Sequence, residues 1–212
     1  MIVTADPALQ SAIDALSSPG ITIGHRLISP GDENALTPEE APAFAASVVK
    51  VRRASGAARI LARQLLNRVG HVESAIPRSP TGAPIWPEGV VGSLAHDTHV
   101  AVAAVGMRRD FSAIGIDVEP AEFLPSDLLE LVATPKERLR ISDDPYRGQL
   151  LFVAKEAVYK AVHPLDQIFL DHQDVEIDFA ARKGFVRNGR VVELRFCVAT
   201  HLVVLAFLAN HG

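Results

Sequence analysis

Ile114-Gly115-Ile116-Asp117-Val118-Glu119 and Phe152-Val153-Ala154-Lys155-Glu156-Ala157-Val158-Tyr159-Lys160 decide how this chain is read. The first stretch is apolar and β-branched, as a buried strand is. It nevertheless carries two carboxylates two residues apart. Residues i and i+2 of a strand share a face, so Asp117 and Glu119 point the same way. Burying two unpaired carboxylates is costly. A hard divalent cation removes that cost, because Mg²⁺ takes oxygen ligands and is commonly held by a few carboxylates plus substrate phosphates. The second stretch reads as a helix with Glu156 and Lys160 on one face and Lys155 beside Glu156. A third carboxylate and two ammonium groups then complete a site for metal and phosphate, which points to phosphoryl-type chemistry. Plainer readings stand beside this one. A half-exposed strand with solvated carboxylates has the same spacing. A surface helix can carry the same Glu–Lys pair, worth roughly a few tenths of a kcal/mol. The apolar neighbours Phe152, Val153, Ala157 and Val158 favour a partly buried cleft.

Working outward, Asp6-Pro7 opens a helix that Pro19-Gly20 ends. Residues 21–28 alternate as a strand. Thr37-Pro38-Glu39-Glu40 has the form of a capping box, and a helical pattern follows to about Val69, with Ser55-Gly56 as a point of interruption and Gly70 as its stop. Residues 71–92 are rich in Pro and Gly and read as an ordered loop around Ile85 and Trp86. Buried strands are expected at 100–105 and 114–118. Helices are expected at about 126–133, 135–141 and 146–162, the last stopping before Pro164. The remainder reads as β: 175–179, a hairpin through Asn188-Gly189, 191–198 and 202–208. Each half runs helix and then strands, which allows two similar units.

The chain has 212 residues, enough for one large domain or two small ones. A hydrophobic content of 48% with 22% charged residues places it among globular chains. A formal net charge of −4 gives no argument for nucleic acid or a membrane surface. No apolar run approaches the roughly 18 residues that span a bilayer. The N-terminus lacks a secretory pattern, so a cytoplasmic location is the default expectation. The single cysteine, Cys197, excludes a disulfide framework and a Cys cluster for zinc.

Two more groups carry chemistry. Gly92-Ser93-Leu94-Ala95-His96 sets a hydroxyl and an imidazole where an anion could be held, or is simply a strand end with a satisfied histidine. Ser93 and His96 lack a third orienting carboxylate and a nucleophile elbow, which argues against hydrolase chemistry. Lys50, Arg52, Arg53, Arg59, Arg63 and Arg68 form a basic cluster. Arg52, Arg59 and Arg63 can share one helical face, either for phosphate or as a solvated surface.

Together these segments resemble the 4′-phosphopantetheinyl transferases that serve peptide-, polyketide- and siderophore-synthase carrier proteins. Residues 82–89 with 92–96 are similar to that family's proline-tryptophan and Ser-x-x-His region. Residues 114–120 are similar to its metal strand, and residues 152–161 to its Lys-Glu-Ala-x-Tyr-Lys helix. The match covers roughly residues 50–180.

The resemblance implies an α+β fold of two pseudo-symmetric lobes in one chain, residues 1–106 and 107–212, with the active site in the cleft between them. It implies Mg²⁺, or Mn²⁺, on Asp117, Glu119 and Glu156. Glu156, Lys160 and Asp117 would be the catalytic residues. Lys155 and Lys160 would contact the pyrophosphate of coenzyme A. Ser93 and His96 would contact the phosphates of its ADP part, including the 3′-phosphate, which Arg52 and Arg59 would also hold. Thr81 stands where relatives often carry a basic residue, so Arg78 is expected to supply that charge. The implied reaction moves phosphopantetheine from coenzyme A to a serine of an apo acyl-, peptidyl- or aryl-carrier protein and releases adenosine 3′,5′-bisphosphate. A monomer is expected, with residues 120–145 as the carrier contact through Leu124, Leu128, Leu129, Lys136, Arg138 and Arg140. Those leucines could equally belong to the core. The competing enzyme class is a Mg²⁺-dependent phosphohydrolase acting on a nucleotide or coenzyme A-like pyrophosphate. A non-catalytic nucleotide-binding module is the third.

Overall fold

The computed structural model describes residues 5–72, 74–141 and 144–210. Helix α1, Pro7–Asp14, starts where Asp6 accepts the free amides of Ala8 and Leu9 at 2.9 and 3.2 Å. Strand β1, Ile21–Leu27, follows. Two 3₁₀ turns, Asp32–Ala35 and Ala41–Phe44, then lead into helix α2, Val49–Arg68. Strands β2, Val90–His96, β3, Val100–Met107, and β4, Phe111–Pro120, come next. Helices α3, Ser126–Val132, and α4, Pro135–Arg138, precede the long helix α5, Arg147–Asp166. The chain ends in β5, Val175–Asp178, β6, Lys183–Val186, β7, Val191–Val198, and β8, His201–Ala209.

The strands form two sheets, in the orders β1-β3-β2 and β4-β8-β7-β6-β5, with every pairing antiparallel. Mixed α and β structure on antiparallel sheets agrees with the α+β class read from the sequence. Leu61, Ala62, Leu65 and Leu66 of α2 pack on Val90, Ala103 and Val105. Ala154, Ala157, Val158 and Ala161 of α5 pack on the five-stranded sheet through Leu194, Val204 and Ala206. Val91, Ala95, Val102 and Ala104 meet Ile116, Val118, Val203 and Leu205, so the two sheets bury apolar faces together.

Gly115 sets the distance between α5 and β4. A Cβ there would lie 2.0 Å from the Ala157 carbonyl oxygen and 2.6 Å from the Ala161 nitrogen. The helix backbone therefore rests on the strand backbone, which is what brings Glu156 and Lys160 close to Asp117.

Four expectations are corrected. The capping box at Thr37 opens no α-helix, and α2 begins at Val49 instead. Glu40 does accept the Thr37 amide, but its fully buried carboxylate also holds Arg63 and the Ile76 amide, so the segment serves as a tether. Helix α2 runs unbroken through Ser55-Gly56; Gly56 is there because a Cβ would meet the Asp32 carbonyl at 1.9 Å. Residues 90–96 form a full strand, with Gly92 lying under the Trp86 ring. Helix α5 contains Pro164 in its last turn, where the one bond its missing N–H forfeits disturbs only the helix end, and ends at Gln167 in the left-handed region, φ 54°.

Candidate functional site

Asp117 and Glu119 lie on β4, opposite Val204 and Leu202 of β8. Both carboxylates face α5. The Lys160 ammonium donates to Asp117 Oδ1 at 2.6 Å. Burial pushes the Asp117 carboxyl above the usual carboxylate range, with Lys160 opposing and Glu156 adding to the shift. Glu119 rises to about 7, first from burial and then from the nearby Asp117 and Asp97 charges, with a further contribution from Glu156. Asp117 and Glu119 thus both feel the Glu156 charge, and the Lys160 ammonium opposes the shift of each. Among the described residues, no three His, Cys, Asp or Glu side chains converge closely enough to form a ready metal site. The donor set still suits a hard cation: all-oxygen, anionic and partly desolvated.

Two cavities adjoin this cluster. One, roughly 380 Å³, is walled by Phe44, Arg59, Arg78, His96 and Lys160 among others. The second, roughly 250 Å³, is lined by Arg78, Ser93, Glu156, Tyr159 and Lys160. Arg59 is buried, donating to the carbonyls of Ile76 and Ser55 at 3.0 and 3.3 Å. Its guanidinium carbon lies 4.7 Å from the Phe44 ring centroid, and that of Arg78 lies 5.8 Å from the same ring. Arg59, 3.9 Å from the buried Glu40 carboxylate that Arg63 also pairs, and the exposed Arg78 share one aromatic platform, leaving a net positive wall suited to phosphate. Loss of hydration pushes the His96 imidazole below its ordinary pKa, and the Lys160 charge adds to this.

The sequence therefore brings Asp117, Glu119, Glu156, Lys160, Arg59, Arg78, Ser93 and His96 into one region. Two expected residues are placed elsewhere. Lys155 does not face the cavities. Its ammonium, 1% exposed, donates to the Val132 carbonyl at 2.8 Å, Glu137 Oε2 at 2.7 Å and the His172 carbonyl at 2.8 Å. All three of its donors are used, so no contact to a pyrophosphate is left for it. The reason is helical geometry: Lys155 and Lys160 are five residues apart, about 140° around the helix axis. Arg52 is likewise not on the cavity wall, since its guanidinium donates to the Ser47 carbonyl at the start of α2.

Phe44, Glu137 and His172 escaped the sequence reading. Phe44 lies in a 3₁₀ turn where helix was expected. Glu137 completes a capping box with Thr134 at the start of α4, a pattern visible in Thr134-Pro135-Lys136-Glu137. Its second carboxylate oxygen accepts the Ile177 amide at 2.7 Å. His172 lies 3.0 Å from Glu156, and no motif flags it.

Comparison with known proteins places the chain. Residues 39–106 match the model of the 4′-phosphopantetheinyl transferase N-terminal domain, and residues 113–205 match that of the 4′-phosphopantetheinyl transferase superfamily. The 4′-phosphopantetheinyl transferase Npt of Nocardia iowensis is 39% identical over 180 residues, covering 84% of this chain and 81% of that protein. Svp of Streptomyces mobaraensis, of the same name, is 38% identical over 190 residues, 81% of this chain and 77% of its own length. PptT of Mycobacterium tuberculosis is 39% identical over 149 residues, 67% of this chain and 64% of its own. With both halves matched and relatives aligned over most of their length, the chain belongs to the 4′-phosphopantetheinyl transferase family.

Proposed function

We propose that this protein transfers the 4′-phosphopantetheine of coenzyme A to a serine hydroxyl of an apo carrier protein, with Mg²⁺ or Mn²⁺, and releases adenosine 3′,5′-bisphosphate. The observation that carries the reading is the Lys160–Asp117 contact, within electrostatic reach of Glu119 and Glu156, beside a cavity walled by Arg59, Arg78 and His96. We read residues 1–106 and 107–212 as the two lobes of one enzyme, with coenzyme A between them.

In this reading the ADP part of coenzyme A lies in the arginine-walled cavity. Arg59 and His96 face its 3′-phosphate, and Arg78 and Ser93 its other phosphates. Asp117, Glu119 and Glu156 would hold the metal ion, which when bound supplies positive charge to the pyrophosphate. The serine hydroxyl attacks the phosphorus that bears pantetheine, and the bond to the bridging oxygen breaks. Glu156 would accept the hydroxyl proton. Lys160 faces the negative charge that develops on the leaving group, a fixed ammonium that need not reorganise. Lys155 has no part in these steps.

The carrier would dock at an apolar groove of roughly 480 Å³ that includes Glu119, Phe123, Leu128, Leu131, Phe152 and His172. Phe123 and Leu131 are 73% and 65% exposed, Leu124 lines the groove while packing partly on the core, and Leu129 packs against the core. The expected contact through residues 120–145 is thereby narrowed to their N-terminal half. The phosphohydrolase alternative is not favoured, because it gives no reason for the family match across both halves.

The test is intact mass spectrometry of apo carrier proteins incubated with this protein, coenzyme A and Mg²⁺. Gain of one phosphopantetheine, lost with EDTA and with Asp117→Ala or Glu156→Gln, is expected. Near-normal transfer by either variant would sink the metal assignment. Absence of both transfer and coenzyme A binding would sink the transferase reading.

A further inference from the structure

We propose that His172 is a positioning residue for Glu156, fixing one oxygen of that carboxylate so that the other faces the carboxylate cluster and the incoming hydroxyl. The inference rests on the transferase reading above but concerns a residue outside its motifs. His172 Nε2 lies 3.0 Å from Glu156 Oε1. An ionised carboxylate only accepts, so the imidazole N–H is the donor.

An ordinary surface ion pair would contribute little, and these side chains are 31% and 32% exposed. What separates this pair from that case is how firmly the imidazole is held. The 3₁₀ turn His172–Asp174 is closed by Asp171, whose carboxylate accepts the Gln173 amide while its own amide donates to Asp174. Gln173 donates from the same turn to the carbonyls of Leu131 and Ala133 at the end of α3. The His172 carbonyl is gripped by the buried Lys155 ammonium. Its ring rests on Phe152, with centroids 5.5 Å apart. The donor is therefore fixed through backbone and ring, without the long flexible stem of Lys or Arg. Glu156 has three rotatable bonds, the nearby Asp117 and Glu119 repel it, and the neighbouring Lys160 ammonium is drawn to Asp117.

The position of His172 adds a second reason. It lines the apolar groove together with Glu119 and Phe152, so it stands where the groove meets the carboxylate cluster. An acceptor hydroxyl coming from that groove reaches Glu156 beside His172. Lys155 gains a purpose in the same arrangement: it holds the turn that holds the carboxylate. An outer partner that aims a ligating or reacting carboxylate commonly contributes strongly without touching substrate.

The test compares His172→Phe, which keeps a ring on Phe152 but has no donor, with His172→Gln, which keeps an N–H donor. The His172→Phe variant is expected to lower kcat about ten- to a hundredfold, with KM for the carrier held within about twofold. His172→Gln should recover most of the loss. Independently of turnover, Mn²⁺ affinity is measured by calorimetry without substrates for wild type, His172→Phe, Glu156→Gln and the double variant. His172→Phe should weaken Mn²⁺ in the wild-type background and change nothing further in the Glu156→Gln background. The proposal is overturned by kcat within about twofold of wild type for His172→Phe, by equal losses in the Phe and Gln variants, or by equal Mn²⁺ effects in both backgrounds. If the wild type neither modifies a carrier nor binds coenzyme A, the transferase reading fails by itself and the Mn²⁺ cycle decides on His172. If the wild type also binds no Mn²⁺, both fail.

Discussion

Glu119 offers the most direct physical check on the carboxylate cluster, through stability rather than activity. Burial, helped by the Asp117 charge, raises its carboxyl from 4.5 to about 7. The folded state therefore binds that proton more tightly than the unfolded chain does. Below pH 4.5 the group is protonated in both states and makes no difference. Above about 7 it is ionised in both, and the folded state bears the cost of a partly desolvated anion near other anions. Stability of the metal-free protein is thus lost as pH rises from 4.5 through 7. A gap of about 2.5 pH units at about 1.36 kcal/mol each sets a ceiling of about 3 kcal/mol. Glu119 is only half-buried, so solvent screening reduces this to about 1–2 kcal/mol. Glu119→Gln removes the proton and the charge together. Urea unfolding in EDTA at pH 5 and pH 8 should show the variant gaining about 1–2 kcal/mol on the wild type between those values. Titrating groups remote from Glu119 are common to both proteins and cancel in the difference, whereas Asp117, Asp97 and Glu156 share its field and their response is part of the measured effect. Mg²⁺ at pH 8 should reverse the order by stabilising the wild type more. A stability difference that does not change with pH would refute the reasoning, since it would mean that Glu119 is neither desolvated nor repelled.

Three further outcomes are expected. Lys155→Met leaves the buried Glu137 carboxylate without its ammonium and should lose about 3–5 kcal/mol in urea unfolding; a variant as stable as wild type but inactive would return Lys155 to the phosphate site. Gly115→Ala forces a methyl group onto the Ala157 carbonyl and should destabilise by at least about 1–3 kcal/mol, read as a lower melting temperature. A variant that melts with the wild type would show that α5 does not rest on β4 as described. His96→Ala should weaken coenzyme A by roughly tenfold in calorimetry, the scale of a hydrogen bond to a charged group, and a 3′-dephospho analogue much less. Equal weakening of both would remove His96 from the 3′-phosphate.

The limits of the sequence are clearest along α5. Periodicity identifies a helix at about 146–162, where the structure has Arg147–Asp166, and places Glu156 and Lys160 on one face, because that information is local. It does not say what the remaining faces meet. Lys155 reads as an active-site ammonium when only its neighbour Glu156 is in view. In the fold it turns toward α4 and the 3₁₀ turn at His172, and its partner Glu137 is 18 residues away. Glu40 misleads in the same manner: its spacing from Thr37 signals a helix start, yet its carboxylate is claimed by Arg63, 23 residues on, and by the Ile76 amide, 36 residues on. In each case a buried charge is fixed by a partner remote in sequence, and burial without that partner would be prohibitive. Gly115 is the opposite case. Its place in a strand looks like weakness, but the missing side chain is what lets α5 approach β4. The same glycine thus couples the two stretches that were legible from the start. Helix α5 carries two lysines with opposite fates because β4 lies under Lys160, with Asp117 opposite, while Lys155 meets two carbonyls and Glu137. Chemistry is available only to the lysine whose facing groups leave it partly exposed, and at 30% exposure that is Lys160.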